Sequence, residues 1–102
     1  MSHPNYAARV EEHRRLVILR VLAETPEYSA NTSLLTDVVN SVGVPSSRDQ
    51  VGSSVSWLGE QQLVNSDTVM GICIVRLTDR GADVAAGRSG VPGVKRPSPG
   101  GG

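Results

Sequence analysis

The chain has 102 residues, ten Lys and Arg against ten Asp and Glu, one cysteine and 3% aromatic residues. That length admits one small domain with a modest core, and so few aromatics leave little room for an enclosed ligand pocket. Zero formal charge excludes a global attraction to nucleic acid or anionic membrane, and the lone Cys73 excludes an internal disulfide.

The first stretch, "NYAARVEEHRRLVILRVLAETP", predicts a long helix stopped at Pro26, because the residue before a proline is driven out of the helical region. Ile18, Leu19 and Leu22 share one face, while Val10, Val17 and Val21 form a second stripe with Arg14 among them. One face suffices for a small core. The second predicts a partner surface: either the same helix of another copy, as a homodimer, or a β-rich part of the same chain. "EYSANTS" reads as a loop whose Asn31 or Thr32 caps a second helix, "SLLTDVVNSVG", which ends at Gly43. After a short Val44-Pro45 connection, Ser46 opens a third helix, with Asp49 completing a capping box. Val51, Val55 and Leu58 are its buried positions.

"LVNSDTVMGICIVRLT" is rich in β-branched residues and predicts two strands around a turn near Val69-Met70-Gly71, with Cys73 packed in the sheet. Thr78 caps a short helix, "DRGADVAAG". Residues 1–87 thus form the domain, and 88–102, rich in Gly, Pro and Ser, read as a flexible basic tail. Charge follows the same division. Thr32 to Leu63 carries Arg48 against Asp37, Asp49 and Glu60, whereas Arg88, Lys95 and Arg96 have no acid beside them to the end.

No apolar run follows a basic start in "MSHPNYAARVEEHRR", and "LVIL" is too short to span a bilayer, so the expectation is a soluble cytoplasmic protein with no membrane partner. Cys73, His3 and His13 have no metal-ligand spacing, and no nucleophile–base arrangement or phosphate-binding loop stands out. Neither enzyme activity, nor a cofactor, nor a metal is expected.

The order of three helices, a two-stranded ribbon and a short helix, with "SWLGEQQLV" and "LTDRG" at its junctions, resembles the winged helix-turn-helix domain of ArsR-like and MarR-like bacterial regulators. "HRRLVILRVLAETPEYSANTSLL", "SSRDQVGSSVSWL" and "VPGVKRPSPG" are similar to a small ArsR-like protein of Mu-like phages and prophages, whose gene tends to lie near lysis and packaging genes. The resemblance implies an α+β winged helix, three helices plus a two-stranded wing, in which helix 2 supports helix 3. Where those regulators carry Gly, with positive φ, this chain has Gln62, which implies strain or a different exit from helix 3.

The implied function is a phage or prophage transcriptional regulator that binds double-stranded DNA. Ser47, Arg48, Gln50, Ser53 and Ser54 would enter the groove, Arg76 would contact backbone from the wing, and Lys95 and Arg96 would add phosphate contacts. Asp49, Glu60 and Asp67 oppose this and predict weak binding per subunit. The alternative is an interaction module that docks phage proteins, as an accessory to packaging or assembly, with Trp57 as a partner contact. Trp57 can equally pack under the tail or over helix 2.

Overall fold

The structure is a computed structural model describing residues 4–98. Helix α1 (Pro4–Glu24) runs without an internal breaker and stops where expected. Thr25 turns back on it, with N–H and Oγ1 both donating to the Leu22 carbonyl at 3.2 and 2.8 Å. A short 3-10 turn follows, in which Glu27 and Tyr28 both take φ of 56°, a strained setting for two side-chain-bearing residues in a row.

Strand β1 (Ser29–Asn31) corrects the loop expected there. Its Ser-Ala-Asn sequence has no strand pattern of its own; the register Ser29–Arg76, Ala30–Val75 and Asn31–Ile74 is imposed by β3. Asn31 also caps α2 (Thr32–Ser41), accepting the Leu34 N–H at 2.7 Å. Helix α3 (Arg48–Glu60) begins one residue later than expected: Ser47 and Gln50, not Ser46 and Asp49, form the capping box. Ser46 is held elsewhere, donating its N–H to Asn40 Oδ1 and taking a hydrogen bond from Arg14. Strands β2 (Val64–Val69) and β3 (Ile72–Leu77) pair antiparallel around Met70-Gly71, both at positive φ as a tight hairpin requires. Thr78 then caps α4 (Asp79–Ala85).

The described residues therefore form an α+β domain of four helices and a three-stranded antiparallel sheet, in the order β1-β3-β2. This is compatible with a winged helix, although the sheet has three strands where two were expected. Leu16, Ile18, Leu19 and Leu22 of α1 meet Leu35 and Val39 of α2, Val51 and Leu58 of α3, and Val75 of β3 in one buried core.

Helices α2, α3 and α4 end alike. The second residue past each end has positive φ, and the next N–H reaches back to the carbonyl five residues earlier: Val44 to Val39, Leu63 to Leu58, Arg88 to Asp83. Glycine takes the special position in two of them, Gly43 and Gly87, but in α3 it is Gln62, at φ 63°. The exit of α3 thus has the same form as those of α2 and α4, made with a strained residue. Gln62→Gly should therefore stabilise the domain by about 0.5–1 kcal/mol, read as a higher urea midpoint at unchanged m-value.

The boundary at residue 87 does not mark the end of the packed structure. Val91 and Val94 are 7% and 6% exposed against the core. The Lys95 N–H donates to the Glu12 carbonyl at 3.2 Å, and Arg15 Nη1 donates to the Gly93 carbonyl at 2.9 Å. The two valines, with a glycine that fits tightly between them, suffice to seat a segment whose composition reads as disordered. Residues 99–102 of the expected tail lie outside the described residues.

Candidate functional site

The exposed side of α3 and the β2–β3 hairpin bound an open cleft of about 690 Å³, lined among others by Arg48, Asp49, Gly52, Ser53, Ser56 and Ser66. Its side chains are short because α3 contributes Gly52, Ser53 and Ser56 there, and its Arg48 is matched by Asp49.

Several residues expected to read DNA are engaged within the fold. Gln50 accepts the Ser47 N–H at 2.9 Å while Ser47 Oγ accepts the Gln50 N–H at 3.1 Å, so both side chains serve the cap. Ser54 is 1% exposed and hydrogen-bonds Glu11 at 3.4 Å, which corrects its placement on the outer face. Arg48 is exposed, with Nη2 donating to Ser33 Oγ of α2 at 2.9 Å, and Ser53 is open to solvent. Arg76 is exposed on β3, opposite Asn65. Lys95 and Arg96 are exposed too, but Lys95 sits at α1 beside Glu12 rather than along α3. Arg48 and Ser53 share the cleft. Trp57 packs under the C-terminal segment: the Arg15 guanidinium lies 4.0 Å over its ring, and a Cβ on Gly93 would come within 2.6 Å of Cζ2.

Of the expected dimer residues, Arg14 is corrected most. It is 1% exposed and held by Glu11 Oε2 at 2.8 Å and Ser46 Oγ at 2.7 Å, inside one chain. Val10, Val17 and Val21 are partly buried. Val17 and Val21 join Val38 and Val42 of α2 in an apolar groove of about 560 Å³, with Arg20 and Glu24 beside it. Sequence reasoning missed the α2 half, although Leu34, Val38 and Val42 recur every four residues as a second stripe.

It also missed the hairpin tip. Val69, Met70, Ile72 and Ile74 are 47%, 94%, 53% and 36% exposed. Alternation puts Ile72 and Ile74 on the sheet face turned from the core, with Val69 paired to Ile72 and Asp67 to Ile74. The signal was there, since three of the four are strong strand formers on a ribbon that reaches beyond the core. Among the described residues no cluster of metal-ligating side chains occurs, and no helix is long and apolar enough to cross a membrane.

Fold and site together define a small α+β protein with helices α2 and α3 in tandem and a protruding hairpin. The chain is 50% identical over 88 residues to protein gp26 of Escherichia phage Mu, covering 86% of this chain and 91% of that one. It belongs to the same family as gp26, which supports a Mu-like phage origin. A Haemophilus influenzae protein is 38% identical over 72 residues, 70% of each chain. No protein-family model and no solved structure matches the chain.

Proposed function

We propose that this protein is a winged-helix interaction module of Mu-like phages that docks another phage protein through α3 and the hairpin, as an accessory to packaging or assembly. One observation carries the reading. On that face Asp49, Glu60 and Asp67 outnumber Arg48 and Arg76, and the hairpin tip is apolar. Groove readers owe much of their affinity to cations against phosphate, and a wing tip of Val, Met and Ile offers none. Exposed apolar side chains with a polar surround suit a protein partner.

A sequence-specific DNA regulator is the second reading. It is favoured by Arg48, exposed at the first turn of α3 where a groove-reading helix makes its base contacts. Pairing of two copies through the α1/α2 groove is compatible with both, because an apolar strip flanked by Arg20 and Glu24 complements its own copy under a two-fold axis.

A photo-crosslinking residue at Met70, in cells producing the phage, should yield an adduct with one phage protein that Ile72→Asp abolishes while the fold is retained. Saturable anisotropy binding to one duplex from the gene's own neighbourhood, surviving physiological salt and lost in Arg48→Ala, would replace this reading by the second. Sedimentation of the same samples tests pairing: a dimer returned to monomer by Val21→Asp supports it, and a monomer at every concentration ends it.

A further inference from the structure

We infer that the face of α1 around Arg9, His13 and Lys95 binds a phosphate group. The inference is independent of what α3 and the hairpin dock. Arg9 and His13 lie one turn apart on the same side of α1. Lys95 comes from the opposite end of the chain and is held there because its own N–H donates to the Glu12 carbonyl at 3.2 Å. With Asn5, Ala8 and Glu12 they line a hollow of about 480 Å³.

The hollow is short of negative charge. Glu12 is its one acid, against Arg9 and Lys95. Burial, then the Lys95 ammonium and the Arg20 guanidinium, holds the His13 pKa below the usual histidine range. Its Nδ1 is buried and has no hydrogen-bond partner. The first turn of α1, where Asn5 stands, carries no acidic side chain to offset the positive end of the helix.

The donors available are a guanidinium fork, an ammonium and a side-chain amide, brought to the hollow from two segments. A ligand with several anionic oxygens engages more of them than a carboxylate does. A phosphate monoester and a nucleic-acid backbone both present that chemistry.

The test uses the full chain and follows the His13 imidazole by NMR as inorganic phosphate replaces chloride at constant ionic strength. A bound anion favours imidazolium, so the His13 pKa should rise saturably, beyond any shift of free imidazole in the same buffers. Arg9→Gln and Lys95→Gln should each weaken phosphate about tenfold or more, as loss of a charge-assisted hydrogen bond requires. Glu12→Gln should tighten it, an outcome that mere structural damage would not produce. A short DNA duplex that displaces phosphate from His13 would make the source a nucleic-acid backbone; failure to displace it would make the ligand a free phosphate or monoester. A His13 response no greater than that of free imidazole, or one unchanged in Arg9→Gln and Lys95→Gln, overturns the inference.

Discussion

Gly81→Ala is expected to destabilise the domain by about 2–3 kcal/mol, although glycine-to-alanine changes inside helices ordinarily stabilise by up to about 1 kcal/mol. Gly81 sits in the first turn of α4, buried, where a Cβ would fall on the Leu63 carbonyl oxygen and within 2.7 Å of Leu77 Cδ1. The obstacle is backbone, and that carbonyl also accepts the Thr78 N–H at 3.1 Å, so it cannot swing away without uncapping α4. Gly52→Ala in α3 is the control, since nothing lies within 4 Å of a Cβ there, and it should raise stability. Urea unfolding of the two variants decides the matter. Equal midpoints would mean that α4 does not press on the exit of α3.

Arg14→Ala should cost about 2–4 kcal/mol, somewhat less than the roughly 3–5 kcal/mol for breaking a fully buried ion pair, because Glu11 keeps 38% of its side chain in water. The loss goes beyond charge. Nε donates to Ser46 Oγ and Nη2 to the Pro45 carbonyl, at 2.7 and 3.4 Å, so one guanidinium ties the link between α2 and α3 to α1. Arg14→Lys should recover only part of the stability, because an ammonium cannot present that fork. Thermal unfolding of Arg14→Ala, Arg14→Lys and Glu11→Ala checks the order, with Glu11→Ala the mildest.

The elements with strong periodicity and caps were legible in the sequence: α1 to its stop at Thr25, α2 with its Asn31 cap, the hairpin at Met70-Gly71, and α4 after Thr78. The positive φ at Gln62 fits the strain expected at the exit of α3 from the resemblance to regulators with Gly at that position. β1 was not, because strand pairing with β3 overrides what Ser-Ala-Asn would do alone. Ser46 was expected to cap α3, but its contacts with Asn40, Val44 and Arg14 hold it in the preceding link and leave Ser47 to cap the helix.

The site was less legible, for one physical reason. Helical angle says which way Gln50, Ser54 and Arg14 point but not which will find a partner inside the chain, and all three do. The hairpin tip and the Lys95 hollow depend on where distant segments stop, which no local pattern encodes.

The seating of Gly93 between Arg15 and Trp57 also governs when the fold can close over that ring. Arg15 and Gly93 are separated by 78 positions, so their contact waits on closure of a long loop. In a chain made from its N-terminal side, the flank of α1 near Trp57 stays uncovered until Gly93 has been added and has left the exit tunnel. Emission from Trp57, the chain's one tryptophan, records that moment of closure.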